Sequence, residues 1–240
     1  MRTFVVGDIH GHAELLRKLM EQLTARAQPG DALVFVGDYI DRGPDSRGVL
    51  DQVLALRAGG WNGPVTPLRG NHEAMMLDFI SDDPQLDPEV WIRNGGLETI
   101  ASYTGRGWTW DWQSELPEEH LELLHSLPLW HEDENGIYVH AGFYPGCDPA
   151  AASEEECLWI REAFLDSDYA WPKVVVFGHT PQYDRSGPAP ADLSQMPWRP
   201  LVRPEKIGID TGAAYGGPLS AVILPDRELE LVAPGSKSGD

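Results

Sequence analysis

Five short segments constrain this chain more than anything else in it: Gly7-Asp8-Ile9-His10-Gly11, Gly37-Asp38-Tyr39-Ile40-Asp41-Arg42-Gly43, Gly70-Asn71-His72-Glu73, His140-Ala141-Gly142 and Gly178-His179-Thr180. Most of them directly follow a short apolar run, so each reads as a loop at the carboxyl end of a buried strand. Glycine permits a tight turn at such a place, and open α/β sheets gather their ligands along that edge. The segments supply aspartates, histidines and one asparagine. A carboxylate can bridge two cations, and an oxygen-rich set with imidazoles suits manganese, iron or zinc. This is the ligand inventory of a two-metal site, for which attack on a phosphate ester is the main chemistry.

The rest of the sequence supports that placement. Thr3 to Val6, Ala32 to Val36 and Val65 to Leu68 read as strands, and Pro67 marks the third as an edge or irregular one. Between them His12 to Arg26 reads as a helix with Leu15, Leu16, Leu19 and Leu23 on one face. Asp45 or Ser46 can cap a second helix that turns Val49, Leu50, Val53 and Leu54 to the core. The region from Met75 to Leu127 looks helical with loops, including a short helix from Pro117. Strands return at Trp130 to Glu132, Ile137 to Val139, Val174 to Phe177, Lys206 to Ile209, Leu219 to Leu224 and Glu228 to Val232. Ser153 to Glu156 has the pattern of a capping box opening a helix that holds Trp159 and Phe164. Gln182 to Pro204 is proline-rich without helical or strand period and reads as a surface loop. Trp108, Trp110 and Trp112 alternate, which would put them on one face of an extended segment, with core packing as their default role.

The 240 residues accommodate one α/β domain, expected over 1–233, with a polar tail at 234–240. No apolar run reaches transmembrane length, and the first motif begins at residue 7, too early for a signal peptide to precede it, so a cytoplasmic protein is expected. There a disulfide between Cys147 and Cys157 is not expected; Cys147, soon after His140, is a minor candidate for redox sensing. The formal net charge of −20 argues against nucleic acid and anionic membranes as partners. It would also repel a phosphate, although salt screens that field beyond about 8 Å. An anion must therefore be held by a local cationic centre.

Taken singly, a strand-end aspartate is a turn former and a histidine a satisfied polar group. Together the segments resemble the signature of the phosphoprotein phosphatase family: GDxHG, GDxxDRG, GNHE, HAG and GHT, from Gly7 to Thr180. Leu158-Trp159-Ile160-Arg161-Glu162 and Gly208-Ile209-Asp210-Thr211-Gly212-Ala213 are similar to later segments of its compact bacterial and phage members. The resemblance implies that Asp8, His10 and Asp38 hold one metal, and that Asp38, Asn71, His140 and His179 hold the other. Two divalent ions, Mn²⁺ first with Fe or Zn as alternatives, would carry a bridging hydroxide that attacks phosphorus directly. Arg42, Arg161 and Asn71 would bind the phosphate, the arginines through their planar forks. His72, oriented by Asp41, would protonate the leaving alkoxide as general acid, help typically worth ~10²–10⁴-fold.

Arg161, in a helix-like stretch, could instead be a surface ion pair. His12 reads as a solvent-facing helix start, Glu73 as a supporting partner, Asp210 as a brace for a site loop and Tyr215 as an entrance residue. The reading is a metal-dependent serine/threonine protein phosphatase, acting on phosphoproteins or small phosphoesters. Its rivals are a dinucleoside polyphosphate (diadenosine tetraphosphate) hydrolase and a catalytically silent phosphate-binding protein. The motif order implies a four-layer αββα sandwich, with the first three motifs on one mixed sheet and the last two on another.

Overall fold

The computed structural model describes residues 1–186 and 190–235. Its first half runs β1 (Thr3–Val6), α1 (Ala13–Arg26), β2 (Ala32–Phe35), α2 (Ser46–Ala55) and β3 (Val65–Pro67). Then come α3 (Asn71–Phe79), α4 (Pro88–Trp91), α5 (Leu97–Thr104) and α6 (Glu118–Ser126). The second half contains β4 (Trp130–Glu132), β5 (Ile137–Val139), α7 (Glu154–Trp159), α8 (Glu162–Leu165), β6 (Val175–Phe177), β7 (Leu201–Val202) and β8 (Lys206–Gly208). It closes on β9 (Leu219–Leu224) and β10 (Glu228–Val232).

These strands form two five-stranded mixed sheets, ordered β10-β9-β1-β2-β3 and β4-β5-β6-β8-β7. In the first, β1, β2 and β3 are parallel and β9 joins antiparallel to β1. In the second, β5, β6 and β8 are parallel. Pro67 ends β3, the edge strand, where a missing N–H costs no ladder bond.

Side-chain alternation along each strand divides the interior into three apolar layers. Val5 and Val34 of the first sheet pack with Tyr138, Val176 and Ile207 of the second, so the sheets face each other. Phe4, Val6 and Phe35 turn the other way, onto Leu16 and Leu19 of α1 and Val49 and Val53 of α2. Val139, Val175 and Phe177 turn outward beneath Cys157 of α7 and Phe164 of α8. The architecture is an αββα sandwich, as the motif order implied. Asp45 caps α2 by accepting from Gly48 N at 2.8 Å, and Ser153 with Glu156 closes the capping box of α7.

Four expectations change. The loop read over Gln182 to Pro204 contains β7, a two-residue edge strand too short to show a period, and a Tyr183–Trp198 bridge; its residues 187–189 lie outside the described residues. The helix read through Trp159 and Phe164 is two helices broken at Arg161, whose φ of −130° and ψ of −95° are not helical. The alternating tryptophans do not share a face: a turn at 110–111 leads into a 3₁₀ helix at Trp112–Glu115, so Trp112 is buried while Trp110 is 94% exposed. His12 is half-buried at the start of α1 rather than turned fully to solvent. Of the expected tail, residues 236–240 lie outside the described residues.

Candidate metal centre

The first three motifs leave the ends of β1, β2 and β3 side by side, and backbone bonds stitch their loops together. Ile9 N and His10 N both donate to Asp38 O, at 3.0 and 2.9 Å. Gly37 is tied to this approach: at φ +106°, a Cβ there would lie 2.6 Å from Gly70 N. The carboxylate of Glu73 accepts from the backbone N–H groups of Asp38 (2.9 Å), Tyr39 (2.8 Å) and Gly70 (2.9 Å), locking the second loop to the third. Glu73 is thus a brace, as the sequence suggested.

The fourth and fifth motifs arrive from the other sheet, after β5 and β6. Gly178 makes this possible, because a Cβ there would sit 2.0 Å from Asp8 Oδ1. His179 N donates to Asp8 Oδ2 at 2.8 Å, joining the two sheets at the site. Asn71 Oδ1 lies 2.9 Å from His140 Nε2 and 3.1 Å from His179 Nδ1. The remaining nitrogens of two rings are oriented by carbonyls: His10 Nδ1 by Ile40 O (3.0 Å) and His140 Nδ1 by Val36 O (2.9 Å).

The backbone is strained where these side chains converge. His10, Asp38, Asp41, Arg42 and His179 all have positive φ, between 47° and 72°. Left-handed backbone costs a non-glycine residue on the order of 1–3 kcal/mol. Five such residues in one place persist because the surrounding hydrogen bonds over-determine them.

Two groups have donor atoms within 4.8 Å of one another: Asp8, Asp38 and His140, and His10, Asp38 and His72. Asp38 is common to both. Asp8, His10, Asp38, Asn71, His140 and His179 are all buried. Two of their polar atoms, Asp8 Oδ1 and His179 Nε2, are buried with no hydrogen-bond partner among the described residues. A buried orphan acceptor calls for a ligand, and divalent cations fit this oxygen and imidazole set.

Protonation tendencies divide the histidines. Burial pulls His10 and His140 below their usual value and His179 down to about 2, so these rings are neutral donors. His72 is the exception. Burial opposes its charge, but Asp38 and the hydrogen bond to Asp41 outweigh burial and raise it. Burial likewise opposes ionisation of Asp38, yet His140, His72, His10 and His179 hold it well below the carboxylate range. Burial, reinforced by Asp210 and Asp38, pushes Asp8 well up, and burial raises Asp210 to about 6. Such an excess of buried carboxylate is what a cation would relieve.

Arg42 is half-buried, with Nη1 3.2 Å from His10 Nε2 and its guanidinium 5.5 Å over the Tyr215 ring. Arg161 is exposed at the rim and donates from Nη1 to Thr180 Oγ1 at 3.2 Å. It makes no ion pair with a carboxylate among the described residues. Asp210 accepts from Gly212 N at 2.9 Å, bracing the loop that carries Tyr215. The residues assigned metal, phosphate or acid roles from the sequence therefore gather in one place, with Arg161 at its rim.

Two contributors carried no motif. Trp91 Nε1 donates to Asp41 Oδ2 at 3.0 Å and Thr99 Oγ1 to Asp41 Oδ1 at 2.6 Å. The helical middle segment supplies both, and its Asn94-Gly95-Gly96 cluster was the available signal: Gly95 O accepts from Arg42 N at 3.3 Å. Thr180, the last residue of the fifth motif, contributes through Arg161. Burial and the neighbouring Glu156 raise the Cys147 thiol.

An αββα sandwich with such a centre between its sheet edges defines a metal-dependent phosphoesterase. Residues 1–183 match the calcineurin-like phosphoesterase family, and the chain belongs to it. Serine/threonine-protein phosphatase 1 of Salmonella typhimurium is 31% identical over 91% of this chain and 89% of its own length. Bis(5'-nucleosyl)-tetraphosphatase PrpE (asymmetrical) of Oceanobacillus iheyensis is 27% identical over 97% and 92%. A protein serine/threonine phosphatase structure from Saccharomyces cerevisiae shares the fold, with a TM-score of 0.61 at 16% identity, covering 98% of this chain and 81% of that one.

Proposed function

We propose that this metallophosphoesterase hydrolyses phosphomonoesters of serine and threonine, with Asp8, His10, Asp38, Asn71, His140 and His179 holding two divalent metal ions, Mn²⁺ foremost. Bound there, the ions would supply Lewis acidity, acidifying water and drawing charge from the phosphoryl oxygens. The protein's own residues do the rest. Arg42 and Arg161 bind phosphate oxygens through their guanidinium forks, with Asn71 beside them. His72 carries the proton for the departing oxygen. With Nδ1 engaged by Asp41, its Nε2 faces the centre, 4.0 Å from Asp38 Oδ2.

The observation that carries this reading is the placement of the histidines: His140 and His179 meet Asn71 Oδ1 and His10 meets Asp38, whereas His72 alone has Nδ1 on a second carboxylate, 2.6 Å from Asp41, which together with Asp38 favours its charged form. Groups whose environments push their proton affinities apart are a sign of assigned acid and ligand roles. The test is hydrolysis of a phosphoserine peptide and p-nitrophenyl phosphate by metal-stripped and Mn²⁺-reloaded protein. Turnover restored by metal is expected; silence with metal bound overturns the proposal.

A second reading, hydrolysis of dinucleoside polyphosphates, has its own support. The relative with that activity in its name matches 97% of this chain, and an arginine-lined cavity opens beside Arg161. Diadenosine tetraphosphate in the same assay decides between the two.

A further inference from the structure

Acidic side chains outnumber Lys and Arg by 38 to 18 in this chain, so a guanidinium has carboxylates in plenty to pair with. Arg2, Arg17, Arg26, Arg69, Arg93 and Arg199 do so. Of the other eight arginines, none of which forms such a pair among the described residues, three line a single cavity. It has a volume of about 350 Å³, and Arg161, Arg185, Arg203 and Thr180 lie in its wall. None of these three arginines forms an ion pair with a carboxylate among the described residues. Glu162 and Asp166 also line the cavity, so three guanidiniums stand against two carboxylates.

The arginines are held without being neutralised. Arg185 stacks 5.1 Å over the Tyr183 ring. Arg203 Nη1 donates to Leu165 O at 3.2 Å, leaving its other N–H groups for a ligand. Arg161 bonds to Thr180 Oγ1, one residue beyond His179, and so belongs both to this cavity and to the rim of the metal centre. A substrate with one phosphate needs Arg42 and Arg161; it gives Arg185 and Arg203 nothing to do. In a chain of net charge −20, an anion is held only where cations are concentrated locally.

We propose that this cavity is a subsite for a second phosphate group carried by the same substrate. The proposal rests on the phosphoester hydrolysis read above and extends it to the part of the substrate beyond the reacting phosphate. A second phosphate can arrive on a phosphoanhydride chain or on a neighbouring phosphorylated side chain. Both offer the same chemistry to Arg185 and Arg203: a doubly hydrogen-bonding oxyanion matched to a guanidinium fork.

The test measures binding rather than turnover, using Mn²⁺-loaded His72→Asn protein and isothermal titration calorimetry. ADP is compared with AMP, and a doubly phosphorylated serine peptide with its singly phosphorylated form. In at least one pair the two-phosphate ligand is expected to bind about tenfold tighter, and that pair names the source of the second phosphate. Adding Arg185→Ala should remove most of the margin. Adding Arg199→Ala, an equal charge change at a residue paired with Asp184, should keep it. No margin in either pair, a margin that survives Arg185→Ala, or an equal loss with Arg199→Ala overturns the subsite. An Arg185-dependent margin in a protein that hydrolyses nothing supports the subsite while the hydrolytic reading falls; hydrolysis without a margin does the reverse.

Discussion

The carboxylate of Asp41 lies 2.6 Å from His72 Nδ1, and both groups are buried. Asp41 is itself held from behind by Trp91 and Thr99, so the imidazole has one orientation, with Nε2 toward Asp38.

That geometry assigns the proton. His72→Asn should lower kcat on phosphoserine peptides by ~10²–10³-fold, since an alkoxide leaves poorly without protonation. On p-nitrophenyl phosphate, whose leaving group needs little help, the loss should be several-fold smaller. Steady-state kinetics on the two substrates provide the check, and equal losses would remove His72 from the acid role.

The support behind Asp41 is open to the same treatment. Trp91→Phe deletes one N–H donor to a buried carboxylate while keeping most of the ring packing. A hydrogen bond to a charged group contributes ~1.5–3 kcal/mol, so urea unfolding should show a loss of about that size. Turnover on phosphoserine peptides should fall more than turnover on p-nitrophenyl phosphate, following His72.

Gly178 tests the join between the sheets. In Gly178→Ala the new Cβ would lie 2.0 Å from Asp8 Oδ1 and 2.9 Å from Val36 Cγ2. Overpacking of this kind costs ~1–3 kcal/mol, and the Asp8 carboxylate must move. Elemental analysis of the purified variant should find less bound metal than in the parent; full retention would take Asp8 out of the ligand set.

Acid sensitivity can be read at Asp31, far from the metals. Burial opposes its charge, but the N–H groups of Arg2 and Gln28 and the Arg2 guanidinium hold its carboxyl below the usual value. A depressed folded-state pKa stabilises above the unfolded value of about 3.9, and the contribution is lost as pH falls through the folded value. Asp31→Asn should therefore cost ~1–3 kcal/mol at pH 7. The difference should shrink below about pH 4, which denaturant titrations at the two pH values would reveal.

Cys157 offers a check on the packing of α7. Burial pushes its thiol up to about 12. At pH 8 iodoacetamide should spare it in the native protein and modify it on unfolding, whereas half-buried Cys147 should react earlier. Mass spectrometry of the labelled peptides would reveal native-state labelling of Cys157, which would mean α7 opens.

Much of the fold was legible because its signals are local. The apolar runs at Thr3–Val6 and Ala32–Phe35 and the leucine face of α1 need only period and burial to be read. The candidate ligands were legible because each sits at a strand end within two residues of a glycine. The break at Arg161 was not, since no Gly or Pro marks it in the sequence. Nor was the short edge strand β7, which exists through pairing with β8.

The sequence by itself determined which side chains are offered and that they stand at strand ends in two groups. Only the tertiary structure decided which of them meet. Asp8 and His179 are 171 residues apart, and a hydrogen bond between them requires two sheets to face each other with a glycine at the point of closest approach. The partners of Asp41, Trp91 and Thr99, come from a helical segment with no motif of its own. The three arginines of the cavity come from the N-cap of α8 (Arg161), the loop after Tyr183 (Arg185) and the connection between β7 and β8 (Arg203). Local pattern reports what a residue is and which way it turns; proximity across the chain is set by packing, which no short stretch of sequence encodes.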